Sequence, residues 1–324
     1  MVKRTRALLG IARIVDMLAL PFTAMAGAWL KCLRVMGLQY LPYSKRILLS
    51  IGVLPVRDHY YEPMINPKHL RYSLSKVRAL PAVDLNVAEQ LSFLERFTYQ
   101  HELAAFPLEK AGHLKFFYHN SSFESGDAEY LYSLLRSIKP QRLIEIGSGY
   151  STLISHSALN LNRAENSAYK CEHICIEPYE QPWLEELGVQ VIRRRVEECS
   201  NEIFTSLEKG DVLFIDSSHV IRPQGDVVFE YLELLPILRS GVYVHIHDIL
   251  TPRDYLQEWV VDEIKLWNEQ YLLEAFLSFN KQFRVIGALN FLTHQYPNEI
   301  GRRFPMLQKE IQTREPGSFW LVKQ

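Results

Sequence analysis

From residue 141 onward, short apolar runs alternate with helical stretches, and this alternation constrains the fold more than any other feature of the chain. RLIEIGSG (142–149), HICIEP (173–178), VQVIRRR (189–195), VLFIDSS (212–218) and GVYVHIHD (241–248) read as five strands. YSTLISHSALNL, a short stretch through Trp183 and Leu187, residues 223–239 and a long segment of about 253–277 read as helices. QFRVIGALNFL (282–292) and SFWLVK (318–323) supply two closing strands. Strands that are apolar throughout are buried on both faces, which implies a parallel sheet covered by helices on either side. Ahead of the alternation, 126–140 is an amphipathic helix. Tyr130, Leu131, Leu134, Leu135 and Ile138 share one face, and Pro140 ends it. Residues 84–111 also read as helical.

The pattern divides the chain into an N-terminal helix (1–37), a helical and loop-rich extension that can serve as a lid (38–122), and an α/β domain (123–324). In the first part, Lys3, Arg4, Arg6 and Arg13 precede an uncharged stretch of 14 residues, Met17–Leu30, and Lys31 and Arg34 follow it. As a helix that stretch is about 21 Å long, short of the roughly 30 Å hydrocarbon core, and Pro21 is expected to interrupt it. The segment therefore reads first as a helix lying at a membrane surface. A cap packed on protein, a true span and a signal peptide are the alternatives. Ala24-Met25-Ala26 resembles a cleavage site, but Arg13 and Asp16 break the apolar region a signal needs. In the second part, prolines 42, 55, 63 and 67 prevent long helices, and Asp58-His59-Tyr60-Tyr61-Glu62 reads as a surface turn or a substrate-contacting loop.

LIEIGSGYST is the most informative segment. A buried strand turns through Gly147-Ser148-Gly149, and a helix starts near Ser151-Thr152, so free N–H groups and closely approachable backbone meet at one place. Thr152 stands where a dinucleotide fingerprint has its third glycine, and Glu145 precedes the turn. A carboxylate there suits an amino-bearing or cationic ligand better than a pyrophosphate. The second strand ends in Glu177, whose carboxylate can accept both hydroxyls of a ribose.

These residues resemble the class I S-adenosylmethionine-dependent methyltransferases over about residues 123–324. E-x-G-x-G is their glycine motif, and the acid ending the second strand is their ribose contact. The resemblance implies a Rossmann-like, seven-stranded, mostly parallel sheet with SFWLVK as the antiparallel strand, preceded by a helical N-terminal region. It implies S-adenosyl-L-methionine as cofactor, with Glu145, Gly147, Ser148, Gly149, Ser151, Thr152, Glu177, Val196 and Asp216 around it. Glu197 joins Val196 beside the adenine.

The ends of the fourth and fifth strands, Asp216-Ser217-Ser218-His219 and His245-Ile246-His247-Asp248, lie side by side in such a sheet. Carboxylates with imidazole can hold a divalent cation that lowers the pKa of a substrate hydroxyl, and a histidine can take the proton. The arrangement is similar to metal-dependent O-methyltransferases acting on sugars and polyketide glycosides. That likeness makes Asp216 and Asp248 ligands and His219 the base. His247 stands where an acid usually stands, so the ligand set Asp216, His247 and Asp248 favours Mn²⁺, Fe²⁺ or Zn²⁺ over Mg²⁺. His245 is expected to face the other side of the strand and to be structural, and Asp226 to be solvated or capping. Arg193-Arg194-Arg195 reads as a paired surface run, and the C-x3-C of Cys171 and Cys175 as no zinc site.

Lys+Arg total 36 and Asp+Glu 37, which gives no global signature of nucleic-acid binding. Four cysteines make no disulfide scaffold. The expected protein is a cytoplasmic methyltransferase, at the inner face of a membrane if the first helix contacts one. Its acceptor would be a small-molecule or saccharide hydroxyl, and a homo-oligomer is left open. The rival readings are a metal-dependent hydroxylase or other non-methylating enzyme on the same fold, and a cofactor-binding scaffold without turnover.

Overall fold

The computed structural model describes residues 2–324, with side chains from residue 10 onward. The side chains of Lys3, Arg4 and Arg6, on which part of the basic flank rests, lie outside the described residues. The chain forms two compact units. One comprises the residues up to Arg71 with Val260–Leu266, and the other Tyr72–Trp259 with Trp267–Gln324.

In the first unit, α1 (Val2–Met36) is one helix and α2 (Pro42–Ile51) a second. The expected interruption at Pro21 does not occur: α1 runs through it. Proline's fixed φ is compatible with a helix, and its missing N–H removes a single rung from a long ladder. Where α1 ends, Arg34 forks onto the Glu62 carboxylate with two bonds of 2.8 Å, and Arg57 Nε adds a third at 3.3 Å.

The second unit is built on a seven-stranded sheet. Its strands are β1 (Arg142–Ile146), β2 (Glu172–Ile176), β3 (Gln190–Ile192), β4 (Val212–Ile215), β5 (Tyr243–Ile246), β6 (Phe283–Ala288) and β7 (Phe319–Lys323). They lie in the order β3-β2-β1-β4-β5-β7-β6. The first five are parallel, and β7 runs antiparallel between β5 and β6. The chain winds outward from β1 to β3 and then returns to place β4 on the other side of β1. The carboxyl ends of these two strands therefore flank a crevice.

Three helices matter most for the site: α3 (Asp127–Ile138), α4 (Tyr150–Glu165) and α5 (Glu269–Leu277). The start of α3 is fixed by its own acids. Glu129 accepts N–H bonds from Gly126, Met306 and Leu307, and Asp127 accepts from Ser318 at 2.7 Å. One face of the sheet buries an aromatic stack. Tyr130 lies 5.4 Å from Trp320, and Phe97 meets Tyr130 edge-on at 5.1 Å. The opposite face packs Phe204, Tyr231, Leu234 and Ile246.

Three expected elements differ. The helix at 84–111 is two short ones, Val87–Leu94 and Gln100–Ala104, because the chain turns between them to bury Phe97. The strand at 282–292 stops at Ala288 and becomes the helix Leu289–Gln295, which buries Leu289 and Leu292. The long helix at 253–277 is a π turn at Glu258–Asp262 followed, after a break, by α5. The break lets the N–H groups of Asn268 and Glu269 donate to the carbonyl of His219 at 3.0 and 3.2 Å.

Gly287 sits at an irregularity between β6 and β7, facing Tyr130. A Cβ there would stand 2.6 Å from the Tyr130 hydroxyl, which is buried and donates to the Ile286 carbonyl at 2.7 Å. Gly287→Ala is therefore expected to destabilise the second unit by about 1–3 kcal/mol, measured by urea unfolding.

Candidate active site

At the end of β1 the backbone enters the left-handed region at Gly147, with φ +75°. A Cβ at this position would stand 1.9 Å from the carbonyl oxygen of Asp216, so only glycine fits. Backbone bonds join the neighbouring strand ends: Asp216 N–H to Ile146 at 2.8 Å, Gly147 N–H to Ile176 at 3.0 Å, Glu177 N–H to Ile192 at 3.1 Å and His247 N–H to Ile215 at 3.0 Å.

Glu145, expected at the ligand, is fully buried beneath the turn instead. Its carboxylate accepts from Thr152 Oγ1 at 2.5 Å and Ser155 Oγ at 3.3 Å, and His173 Nε2 and Cys175 Sγ stand 3.3 and 3.6 Å away. Thr152, also fully buried, passes this on by accepting the Gly149 N–H at 3.1 Å. These two residues shape the turn from below and do not line the cleft, which corrects the expectation of a direct contact for both.

The other expected residues do line it. A cavity of about 530 Å³ is bounded by Gly147, Glu177, Tyr179, Val196, Asp216 and Ser218. A second of about 220 Å³ is bounded by Phe123, Ser148, Gly149, Ser151 and Gln181, and it shares the walls Gly147, Glu177 and Asp216. Glu177 Oε1 is held by the N–H groups of Tyr179 and Glu180, both at 2.9 Å. Oε2 has only a long bond of 3.4 Å from Ser148 N–H, which leaves acceptor capacity for a diol. Ser148 Oγ is buried without a hydrogen-bond partner among the described residues. Val196 is buried and apolar. A free acceptor, an orphaned hydroxyl and an apolar wall fit an adenosine with an amino-acid tail. Arg193, read as part of a paired run, braces the loop after β2. It pairs with Glu185 at 2.8 Å and donates to the carbonyls of Glu177 and Gln181.

Beyond Asp216, the ends of β4 and β5 bring all four expected polar residues together. His219 Nε2 lies 3.3 Å from Asp216 and 3.4 Å from Asp248. His247 Nδ1 lies 3.6 Å from Asp216 and 3.5 Å from Asp248. Asp216, His219 and Asp248 offer ligand atoms within 4.8 Å of one another. His219 and Asp248 both adopt positive φ, +60° and +57°, a costly conformation for residues with side chains. The Asp216 side chain keeps 35% of its surface accessible, so the group opens to the cleft.

His219 is braced from behind. Its Nδ1 stands 2.9 Å from Oε2 of the fully buried Glu269, whose other oxygen accepts from Tyr231 at 3.1 Å. Burial alone would lower the His219 pKa, but hydrogen bonds to Asp216 and Glu269 and the charge of Asp248 hold it well above the usual range. Burial likewise opposes charge on His247, and Asp248 and Asp216 outweigh it. Asp216 loses more by burial than it gains from any one neighbour, yet the two imidazoles together hold its carboxyl below the usual range. With Nδ1–H donated to Glu269, Nε2 of His219 faces two carboxylates, and the raised pKa means that Nε2 carries a proton unless a metal stands in its place. That arrangement needs a cation between them, either a proton or a metal, so the donor set fits a divalent ion.

Two expectations here are corrected. His245 lies on the same side as His247, with ring centroids 5.5 Å apart, because residues two apart on a strand share a face. It is nonetheless structural: fully buried, stacked on Phe214 at 4.0 Å and bonded to Ser318 Oγ at 2.9 Å. Asp226 is not solvated; it accepts from the N–H and Oγ of Ser218 at 2.9 and 2.8 Å.

Glu269 escaped the sequence reading, because it lay inside an expected long helix and 50 residues from its partner. Trp267, 4.6 Å from the His219 ring, and Trp259, 5.2 Å from Trp267, were missed for the same reason.

A family described as a methyltransferase domain matches residues 144–249, the stretch from β1 through the end of β5. An uncharacterized protein of Archaeoglobus fulgidus is 30% identical over 173 residues, covering 49% of this chain and 76% of that one. A solved O-methyltransferase from Bacillus cereus in complex with SAH covers 72% of this chain and 91% of its own, at 13% identity and a TM-score of 0.34. With its strand order, glycine turn and domain match, the chain belongs to the class I S-adenosylmethionine-dependent methyltransferases.

Gly147→Ala is expected to abolish the melting-temperature increase given by S-adenosylhomocysteine. Glu177→Ala should weaken binding by roughly 1.5–3 kcal/mol, the loss of a charged hydrogen-bond partner. Both are read by thermal shift and calorimetry.

Proposed function

We propose that this methyltransferase acts on a hydroxyl of a saccharide or related polyol, and that His219, oriented by Glu269, takes the hydroxyl proton. The observation that carries the reading is the 2.9 Å contact of His219 Nδ1 with Glu269, which leaves Nε2 directed between Asp216 and Asp248. A base held by a buried carboxylate keeps one tautomer and one orientation, and because the surrounding carboxylates raise the His219 pKa, the neutral form that takes the proton would be reached as the pH rises.

The turn Gly147–Gly149, Glu177 and Val196 would hold the cofactor. Bound S-adenosylmethionine supplies an electrophilic methyl group. Asp216 lies where the cofactor cavities meet the His219 group and so joins donor and acceptor sites. The protein's task is to hold the acceptor oxygen near the methyl, about 3 Å away, and to remove its proton. Trp267 and Trp259 form a half-buried aromatic wall beside His219. An aromatic face packs well on the C–H face of a pyranose, which supports a saccharide acceptor.

A second reading is favoured by the mutual approach of Asp216, His219 and Asp248. These three would hold a divalent cation, with His247 at its edge. A ligating histidine commonly gives its other N–H to a carboxylate, as His219 does to Glu269. The cation would supply Lewis acidity that lowers the pKa of the hydroxyl.

Transfer of labelled methyl to a panel of glycosides, with metal analysis of the same samples, separates the readings. If His219 is the base, His219→Ala keeps the metal content and slows turnover by about 10²–10⁴-fold. If it is a ligand, metal and activity fall together, as they also should in Asp216→Ala and Asp248→Ala. Glu269→Ala is expected to lower kcat about 10–100-fold with little change in KM. Trp267→Ala should raise KM for saccharide acceptors while kcat changes less. Methyl transfer restricted to nitrogen acceptors would overturn the proposal.

A further inference from the structure

Between Met17 and Leu30, α1 carries no charge, and Thr23 is its one hydroxyl. Six of its large side chains stand in the open, Met17, Leu18, Leu20, Phe22, Met25 and Trp29 being each 56–73% exposed, while Leu30 at its end is half-buried and Leu33 beyond it is buried. Successive helical residues point about 100° apart, so Met17, Leu18 and Leu20 alone occupy three sides, and no side is polar. A helix lying on a membrane surface, or one packing on a protein partner, keeps a polar face. A coiled coil with a second copy would show an apolar seam with charged flanks. A helix apolar all round fits lipid on every side.

The dimensions agree. Gly10–Met36 is long and apolar enough to cross a membrane. From Arg13 to Lys31 the axial rise is about 27 Å, against a core of roughly 30 Å. Arg13 and Lys31 can reach the head groups along their stems, and Asp16 sits one turn from Arg13. At the far end the Arg34 and Arg57 charges converge on Glu62 instead of standing unpaired. Trp29, Tyr40 and Tyr43 are exposed around this end, as in the aromatic belt of a membrane interface. In α2, Tyr43, Ile47 and Ile51 share one exposed face at a spacing of four, while Lys45 and Arg46 lie off it. That is the pattern of a helix lying in the head-group layer.

We propose that α1 crosses a lipid bilayer and anchors the enzyme in it, with α2 as an interfacial support. On this proposal a span takes the place of the surface-bound helix expected from the 14 uncharged residues, since the continuous helix extends well beyond them and has no polar face between Met17 and Leu30.

The test uses the full chain. It should sediment with membranes, stay there in 1 M NaCl and in alkaline carbonate, and leave only with detergent. The purified protein should float with vesicles of phosphatidylcholine alone, without anionic lipid. Leu20→Arg with Met25→Arg should raise the carbonate-soluble fraction at least tenfold, while an unchanged thermal shift with S-adenosylhomocysteine shows that the second unit is folded. Ile47→Asp with Ile51→Asp should remain carbonate-resistant, since α1 carries the span. Release of the wild type by salt or carbonate overturns the proposal, as does a need for anionic lipid. Equal retention of the arginine variant, or release of the Ile47/Ile51 variant, removes the span from α1.

Discussion

The second unit depends on how closely two neighbouring strands approach at their carboxyl ends. Asp216 reaches back over the end of β1 so closely that residue 147 has no room for a side chain. That contact bends the chain into the glycine turn, starts α4, and places Asp216 where the cofactor cavities adjoin the polar group at β5. Buried Glu145 supports the turn from below through Thr152, and Glu177 supports it from the side through Ser148 N–H. The cofactor site is thus mainly backbone held in place, and the side chains around it fix the backbone as much as they meet a ligand.

The polar group beyond it follows a different logic. Two imidazoles and the carboxylates of Asp248 and Glu269 are gathered in a largely buried corner that opens to the cleft at Asp216, an arrangement that is stable only if charge balances locally. Positive φ at His219 and Asp248 shows that the backbone is forced to present these groups. Glu269 and Tyr231 close the far side, so His219 has one direction left in which to act.

Much of this was legible in the sequence, for identifiable reasons. A parallel strand buried on both faces leaves an unbroken apolar run, so β1, β2, β4 and β5 and the residues at their ends stood out. Asp216, His219, His247 and Asp248 could be brought together because adjacent strand ends are adjacent in space. Glu269, Trp259 and Trp267 could not, because their approach to His219 depends on a break in a helix that no glycine or proline marks. Glu145 was misplaced because an acid before a glycine turn looks the same whether it faces a ligand or supports the turn. His245 and His247, two apart on one strand, share a face, so strand parity puts both rings on the same side. Pro21 has the sequence mark of a breaker, yet a proline ends a helix only where the lost rung is not outweighed, and α1 continues through it.

The tryptophans of the second unit have a spectroscopic consequence. Trp320 is fully buried, close to His245 and Tyr130, and sealed from anything that enters the cleft. Trp259 and Trp267 are half-buried next to His219, where an arriving ligand would change their solvent contact. One emission spectrum therefore carries two signals. With exposed Trp29 and half-buried Trp183 replaced by phenylalanine, its blue component reports whether the sheet is folded, and its red component reports what occupies the space beside the imidazole.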